Sequence, residues 1–488
     1  MAEVKFVDTT VRDGNQSLWG ATGLNTEMII AAAADMDRVG FKAIDFVASI
    51  HMGVSVRYHK ENPWERMRQA AKLIKNTPLS FGTTGRRFIG FKRVPDSIMS
   101  LVLERVVANG LRRVWIVDAN HDADLITKVA RMAKNAGIQE YVAALSFTIS
   151  PVHTDKYYAD KARELARCKD IDTLYIKDQG GLLIPERVRT LVPAVREAIG
   201  SKALEIHSHC STGLAPVCYL EAIRLGVDVV HTAVSPLAHG TSLPAVENIL
   251  ENLPYLSYGA SLDEETLKTV PSWLRGKEKY WGNLDLKSLA DMSAHFQRVC
   301  QSTGYPEGKP VEHNAYYYVN QVPGGMMTTL RRQLTEMNML DRLDEVLKEI
   351  IRVRRELGYP IMVTPFSQFV GTQATMNVIY GERYKVIPIE IIQYASEWFG
   401  TPPAPIDREV LNKIVNQPMA KDIFEKELPE PSIKELRQEM GLGHLVSDEE
   451  FLLRYVMTNK EVDEMLAASS IRQFSKLKNF AFEQLAPK

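Results

Sequence analysis

Short apolar runs rich in β-branched residues alternate with helix-like stretches along the first half of the chain. The runs predict eight strands, at Val4–Asp8, Ala43–Val47, Leu79–Thr83, Arg113–Val117, Val142–Phe147, Thr173–Ile176, Leu204–His207 and Val229–Val234. The helices predicted between them include Thr26–Val39, Pro95–Ala108, Asp124–Asn135 and Pro185–Ile199. Such alternation is typical of βαβ units with parallel strand pairing. Eight units in about 250 residues predict an α/β fold, a (β/α)8 TIM barrel; a doubly wound open sheet is the alternative, with fewer strands.

The alternation stops after about residue 260, and the rest of the sequence is typical of helices joined by polar loops. Loops are expected at Pro271–Gly276 and Gly304–Pro310, and the acidic run Glu425–Ser432 is a predicted connector. The predicted helices are Met327–Met337, Leu343–Leu357, Pro388–Trp398, Arg408–Asn416, Ile433–Met440 and Ser447–Met457. We therefore divide the chain into a catalytic barrel (1–260), connecting helices (261–305) and a mainly α-helical C-terminal domain (306–488).

The composition is that of a soluble globular protein, with 45% hydrophobic and 24% charged residues among 488. A formal net charge of -1 and the lack of a long basic run give no indication of nucleic-acid binding. The four cysteines form no CxxC pair, which fits free thiols in a reducing compartment. No signal peptide is recognisable, and no run approaches the roughly 18 apolar residues of a membrane span. We therefore expect a cytoplasmic protein.

Two histidines separated by one serine, His207 and His209, come at the end of the seventh predicted strand. Strand side chains repeat every two residues, so both imidazoles face the same side and can form half of a divalent-metal site. The alternative is a polar pair bonded to loop carbonyls. Cys210 is a less favoured ligand, because it alternates to the opposite face. Asp13 and Lys177 follow strands one and six, and functional groups of such barrels collect at these strand ends.

These motifs resemble those of the carboxyltransferase component of biotin-dependent enzymes. That family includes pyruvate carboxylase, oxaloacetate decarboxylase and transcarboxylase, within a superfamily that also contains isopropylmalate synthase and hydroxymethylglutaryl-CoA lyase. The matching stretches cover about three-quarters of the chain and lie at residues 8–17, 61–66, 118–122, 176–183, 207–213, 240–244, 322–325 and 363–365. The stretches at 61–66, 322–325 and 363–365 are specific to the carboxyltransferases. The resemblance implies a carboxylase-type C-terminal domain after the barrel.

The resemblance implies one divalent metal ion, which would be Zn²⁺, Mn²⁺ or Co²⁺. Its expected ligands are Asp13, His207, His209 and a Lys177 that is carboxylated on its amine. An ammonium group cannot bind a cation, whereas a carbamate presents oxygen ligands like those of a carboxylate. The alternative for Lys177 is an ion pair with Asp178 or with another carboxylate.

The resemblance also assigns roles around the metal. Thr241 is expected to shuttle a proton between biotin and substrate, and with Lys177, Arg12 and Asp13 it forms the expected catalytic set. Arg12 and Gln16 are expected to contact the substrate. The alternatives are that Thr241 caps a helix beginning near residue 244 and that Arg12 forms a salt bridge at the barrel mouth.

The substrate pocket departs from the family pattern. The family's third-strand arginine, which grips the carboxylate of the oxo acid, corresponds to Thr84 here. The second-strand motif is replaced by the residues at 47–52, and the carboxylate of strand eight is replaced by His231. Arg86 or Arg87 would have to supply the missing charge. Because a hydroxyl cannot replace a bidentate guanidinium, we expect the same architecture with a different substrate. Pyruvate and oxaloacetate are expected to be poor substrates.

The sequence has no Met-Lys-Met turn of the kind that bears biotin, so we expect a separate biotin carboxyl carrier protein to supply it. A biotin carboxylase subunit is the other expected partner, and by resemblance the chain forms a homodimer or a larger complex. The expected reaction moves a carboxyl group between carboxybiotin and a small organic acid or carbonyl compound. The alternatives are a biotin-independent metal-dependent lyase or decarboxylase on the same scaffold and a non-catalytic assembly partner.

Overall fold

Eight parallel strands form a closed barrel. The structure, a computed structural model, describes residues 4–90, 92–253, 284–424 and 429–469. The strands are Lys5–Asp8 (β1), Ala43–Ala48 (β2), Leu79–Thr83 (β3), Arg113–Val117 (β4), Glu140–Ser146 (β5), Thr173–Asp178 (β6), Ala203–Ser208 (β7) and Val229–Thr232 (β8). Each strand pairs with its neighbours in sequence order, and β1 also pairs with β8. The predicted barrel is therefore confirmed, and the open-sheet alternative is wrong.

The helices of the first half follow the strands in regular order. They are Asn15–Trp19 (α1), Thr26–Ala31 (α2), Ala33–Arg38 (α3), Ser49–Val54 (α4), Pro63–Leu73 (α5), Asp96–Ala108 (α6), Ala123–Ala136 (α7), Asp155–Ala166 (α8), Pro185–Ile199 (α9), Ala215–Arg224 (α10) and Val246–Asn252 (α11). The single helix predicted at residues 26–39 is divided at Ala32, which joins α2 to α3. Its predicted start is correct, because Asn25 caps α2 by accepting the backbone N–H of Met28.

The second half is helical, as predicted. Its helices are Leu286–Thr303 (α12), Ala315–Asn320 (α13), Gly324–Glu336 (α14), Leu343–Glu356 (α15), Phe366–Tyr380 (α16), Ile389–Ala395 (α17), Arg408–Val415 (α18), Ala420–Phe424 (α19), Ile433–Glu439 (α20) and Asp448–Val456 (α21). Helix α16 was not predicted, because its polar and apolar residues do not separate onto two faces and leave no amphipathic stripe to mark it. The predicted loop at 271–276 and part of the predicted connector at 425–432 lie outside the described residues.

Two main hydrophobic cores fill the described part of the molecule. One joins the barrel to its surrounding helices and also contains Leu289 and Phe296 of α12 and Phe451 of α21. The other lies among helices α14 to α19 and is entirely within the helical region. The chain therefore leaves the barrel, builds a separate helical core and returns to the barrel with its last described helices. The domain boundaries near residues 260 and 305 stay a prediction.

The helical region sits over loops at the carboxyl ends of the barrel strands. The side-chain amide of Asn120, which follows β4, donates to the backbone carbonyls of Phe399 and Gly400, both at 3.0 Å. Thr148, which follows β5, donates to the Gln321 side chain at 2.8 Å. These contacts place helical residues beside the barrel mouth. No helix in the described part of the chain is long and apolar enough to span a membrane.

Candidate metal centre and active site

Four predicted ligands converge at the mouth of the barrel. Asp13 lies on a single π-helical turn, Thr10–Gly14, directly after β1, a type of turn that is frequent at functional sites. The parallel register places Lys177 of β6 opposite His207 of β7, and His209 follows that strand by one residue. Asp13 Oδ2 lies 3.2 Å from His207 Nε2 and 3.6 Å from Lys177 Nζ, and Asp13 Oδ1 lies 3.6 Å from His209 Nε2.

Outer contacts of the two histidines leave both Nε2 atoms facing the cluster. His209 Nδ1 donates to the carbonyl oxygen of Thr241 at 2.5 Å, and His207 Nδ1 is 3.0 Å from the Tyr175 hydroxyl. A carbonyl can only accept, so His209 carries a proton on Nδ1, and its neutral form has the lone pair on Nε2. That Nε2 atom is buried and has no hydrogen-bond partner among the described residues. Within that part of the chain, one group of histidine and acidic side chains has metal-ligand spacing: Asp13, His207 and His209.

Burial and neighbouring charges perturb the pKa values of this cluster. Burial opposes ionisation of Asp13, but the positive charges of Arg12 and Lys177 hold its pKa well below the usual value. Burial lowers the pKa of Lys177 to about 8, and the nearby Asp13 offsets only part of that effect. Burial also lowers the pKa of His207 well below its usual value. An ionised carboxylate and a neutral imidazole are the forms that bind a cation, so the donor set fits a divalent metal ion.

Arg12 points to protein carboxylates. Its Nε donates to Asp45 Oδ2 at 2.7 Å, and one of its terminal amines lies 2.8 Å from Asp13. Its guanidinium also lies over the Trp115 ring, 4.9 Å from the centroid, and Trp115 Nε1 donates to Asp45. This arrangement is the salt bridge that was the alternative to substrate binding by Arg12. Its substrate role stays a prediction.

Lys177 does not pair with Asp178. The Asp178 carboxylate instead accepts the Ser208 hydroxyl at 2.6 Å and the backbone N–H groups of Leu182 and Leu183. It therefore orders the loop after β6. Lys177 has Asp13 as its nearest carboxylate, and its Nζ is 3.2 Å from His207 Nε2 and from the Tyr175 hydroxyl.

Thr241 lies next to the cluster and contacts it through its backbone. Its carbonyl oxygen accepts from His209, while its hydroxyl donates to the carbonyl oxygen of Ser17 at 2.6 Å. Helix α11 begins at Val246 with Ala245 before it, so Thr241 does not cap that helix. Gln16 is half-buried on α1, three residues after Asp13.

The three polar residues after β3 have different surroundings. Thr84 donates its hydroxyl to the carbonyl oxygen of Arg87 at 3.4 Å. Arg86 forms an ion pair with Asp122. Arg87 lies over the Phe399 ring, 6.0 Å from its centroid, and has no ion-pair partner in the described part of the chain. Burial lowers the pKa of Arg87 to about 10. Arg86 is therefore paired with a carboxylate, whereas no ion pair of Arg87 is found among the described residues.

Sequence reasoning missed Tyr175 and its neighbours inside the barrel. Tyr175 stacks on His231, with centroids 4.5 Å apart, and His231 in turn contacts Glu205 at 2.9 Å. Glu205 is completely buried between Arg113 and Lys42, which compensate its charge. A signal was present, because Tyr175 precedes Lys177 by two residues and Glu205 precedes His207 by two, on the same faces of their strands.

Comparisons with known proteins agree with this architecture. The HMGL-like family model matches residues 3–270, and the model described as conserved carboxylase domain matches residues 317–487. A pyruvate carboxylase subunit of Methanocaldococcus jannaschii is 38% identical over 457 residues, which cover 93% of this chain and 76% of the relative. The chain belongs to the carboxyltransferase family of biotin-dependent enzymes. This membership confirms the predicted resemblance and favours a carboxyltransferase over the biotin-independent alternative.

Other members of the carboxyltransferase family extend the comparison. The 2-oxoglutarate carboxylase large subunit of Hydrogenobacter thermophilus is 32% identical over 457 residues, covering 92% of this chain and 66% of the relative. The solved carboxyl transferase domain of Rhizobium etli pyruvate carboxylase matches with a TM-score of 0.80 at 22% identity, covering 96% of this chain and 77% of that one, which shows the shared fold. These relatives give no support to the predicted exclusion of pyruvate.

Proposed function

We propose that this carboxyltransferase moves a carboxyl group between carboxybiotin and a small carbonyl compound at the cluster of Asp13, Lys177, His207 and His209. A biotin carboxyl carrier protein would present the carboxybiotin, and a biotin carboxylase would recharge it. The observation that carries the proposal is the convergence of two imidazole Nε2 atoms, a carboxylate and an amine in one buried group at the barrel mouth.

A divalent ion, Zn²⁺, Mn²⁺ or Co²⁺, would be held by Asp13, His207, His209 and Lys177. When bound, it would polarise the substrate carbonyl and stabilise the negative charge that develops on its oxygen. The orphaned lone pair of His209 supports this assignment, since an unsatisfied buried nitrogen is costly unless a ligand meets it.

Lys177 would contribute as a carbamate. Its lowered pKa, about 8, leaves a fraction of the amine neutral near neutral pH. The nitrogen lone pair of that neutral amine can form a bond to the carbon of CO₂, after which the nitrogen loses a proton. The product is an anionic oxygen ligand in place of a cation, which also removes the repulsion between an ammonium group and a metal ion.

Thr241 would carry the proton between substrate and biotin. A hydroxyl can donate and accept at once, and the hydroxyl of Thr241 needs only to leave the carbonyl of Ser17 to do so. The Thr241 carbonyl meanwhile holds His209 in the tautomer that a metal ligand requires. One residue would thus fix a ligand through its backbone and move a proton through its side chain.

The surroundings of Arg12 and Arg87 indicate which of the two would bind the carboxylate of a substrate. Arg12 is already paired with two carboxylates, so its positive charge is largely compensated within the protein. Arg87 has no such partner in the described part of the chain and would meet the carboxylate of an oxo acid, and the half-buried Gln16 would donate to the carbonyl oxygen. We propose a small 2-oxo acid as substrate, with pyruvate, oxaloacetate and 2-oxoglutarate as the first compounds to test.

The test combines metal analysis with turnover. Purified protein is assayed for decarboxylation of oxaloacetate with and without free biotin, and pyruvate and 2-oxoglutarate, which have no β-carboxylate to lose, are tested as acceptors of the carboxyl group of carboxybiotin. The metal content is measured on the same protein. We expect about one divalent ion per chain and a biotin-dependent rate, both lost in His207→Ala. His444→Ala, which removes an exposed histidine, is the matched control and should change neither. An unchanged metal content in His207→Ala, or a turnover rate that is the same with and without biotin, would contradict the proposal.

A further inference from the structure

A cavity of about 410 Å³ lies beside the loop after β5, where helices α13 and α15 meet the barrel rim. Four of its lining residues are cations: Lys348, Arg352, Arg354 and Arg355. None of its lining residues is acidic. The metal-centre residues do not line it, so this cavity is separate from the active site described above.

The cations are concentrated on α15. Lys348, Arg352 and Arg355 are spaced at i, i+4 and i+7, which places them on one face of the helix. Like charges at this spacing repel one another and weaken a helix unless anions compensate them. Arg352 has such a partner, because its Nε lies 3.1 Å from Glu356. Lys348 and Arg355 have no carboxylate within ion-pair distance in the described ranges of the chain.

Arg354 adds a buried charge to this face. It is 6% exposed, and its guanidinium donates to the Pro360 carbonyl, to the Thr148 hydroxyl and to the Ile149 carbonyl. All three acceptors are neutral, so nothing on the described part of the protein compensates the charge. Burial lowers the pKa of Arg354 to about 10, which still leaves it protonated at neutral pH. These hydrogen bonds also fix the guanidinium in place and leave its remaining amine free for a ligand.

A neighbouring cavity shows that this excess of cations is local. It shares Arg352 and Arg355 with the first cavity, but Glu356, Asp407 and Glu409 line it as well. Its charges are therefore nearly balanced by protein groups. The first cavity differs because its cations face a space without acidic side chains, which is the arrangement expected of a site whose counterion is a ligand.

We propose that the cavity lined by Lys348, Arg352, Arg354 and Arg355 binds a small polyanion that carries phosphoryl groups. Guanidinium groups match phosphate oxygens in two parallel hydrogen bonds, and several negative charges in a compact ligand would offset several cations at once. The volume is within the range of small-molecule sites. A concave space of this size favours a small anion over an acidic segment of another protein.

Isothermal titration of the full chain with inorganic pyrophosphate tests the proposal. We expect saturable binding that weakens as salt rises, and at least 10-fold weaker binding in a Lys348→Gln/Arg355→Gln variant, whose two side chains are exposed. The matched control, Arg331→Gln/Lys434→Gln, removes two exposed cations that do not line the cavity and should change the affinity less than 2-fold.

Three outcomes would overturn the proposal. The first is no saturable binding of pyrophosphate by the wild-type chain. The second is an equal loss of affinity in the cavity variant and in the control, because overall charge would then explain the binding. The third is tighter binding of citrate than of pyrophosphate, which would exclude phosphoryl recognition. Each readout is binding rather than turnover, so a result against the cavity leaves the proposed carboxyl transfer untouched.

Discussion

The Tyr175 hydroxyl is expected to control metal affinity without touching the metal. Tyr175 is completely buried, and its hydroxyl lies 3.0 Å from His207 Nδ1 and 3.2 Å from Lys177 Nζ. Tyr175→Phe removes one oxygen atom and keeps the ring, so the stack on His231 and the edge contact with Trp115 remain. The change therefore removes only the two contacts of the hydroxyl, one with Lys177 and one that holds the His207 ring in the orientation for binding through Nε2.

The magnitude follows from two independent estimates. A His207 that binds a metal ion through Nε2 carries its proton on Nδ1, and leaving that buried N–H without an acceptor costs about 1–3 kcal/mol. Loss of a group that orients a metal-bound histidine weakens metal affinity roughly 10- to 100-fold, which corresponds to about 1.4–2.7 kcal/mol. Because the two ranges overlap, we expect the dissociation constant of the bound divalent ion to rise by one to two orders of magnitude.

The assay is chelator competition on purified protein, with Tyr141→Phe as the matched control. Tyr141 lies in the neighbouring strand β5, is equally buried, and donates its hydroxyl to the Ile126 carbonyl at 3.0 Å. Both variants lose a buried hydroxyl and should lose similar thermal stability. Only Tyr175→Phe should lose metal affinity. Equal metal affinities in Tyr175→Phe and in the wild-type chain would refute the reasoning.

Three further predictions concern single residues. Thr241→Ala should lower kcat by about 100- to 10,000-fold at unchanged metal content, with partial recovery in Thr241→Ser; wild-type turnover in Thr241→Ala would exclude proton transfer by this hydroxyl. Burial raises the pKa of Asp8 from 3.8 to about 7. Between pH 3.8 and about pH 7, folding therefore takes up a proton, and the free energy of unfolding falls as the pH rises through this range. Asp8→Asn should therefore raise Tm more at pH 8 than at pH 5. At pH 8 the free energy of unfolding should rise by roughly 1–4 kcal/mol. A difference in Tm between variant and wild type that does not change with pH would contradict this. Arg87→Gln should raise KM for the oxo acid about 10-fold or more with little change in Tm, whereas Arg86→Gln should lower Tm, because it leaves the Asp122 carboxylate without its partner; a KM unchanged in Arg87→Gln would remove Arg87 from the substrate pocket.

The sequence allowed the barrel and the convergence of the candidate ligands to be predicted because both depend on local patterns. Eight apolar runs separated by helices define the strands, and the carboxyl ends of parallel strands bring His207, Lys177 and Asp13 to one rim. The pairing of Arg12 with Asp45 could not be read in this way. Asp45 lies in the apolar run of β2, and only the closed barrel shows that its carboxylate faces Arg12.

Buried networks across the barrel were beyond sequence reasoning for a similar reason. Arg113 and Glu205 lie on strands β4 and β7, which are separated by two other strands, and their contact depends on the tilt and stagger of the whole barrel. Helix α16 was missed because its polar and apolar residues are mixed around the helix. Amphipathic patterns reveal a helix whose apolar residues lie on one face, and they cannot identify one that buries polar residues such as Gln373 and Asn377.

The return of the chain to the barrel core means that the barrel is not an autonomous folding unit. The buried side chains of this core that come from beyond residue 284 include Leu289, Met292, Phe296, Phe451, Leu452 and Met465. Burying each contributes about 1.5–3 kcal/mol, so together they supply roughly 9–18 kcal/mol, as much as the roughly 5–15 kcal/mol net stability of a typical protein. A fragment that stops at residue 260 would expose their docking faces to water. The barrel, α12 and the last described helices should therefore unfold in one cooperative transition, and the candidate metal site should be lost with it.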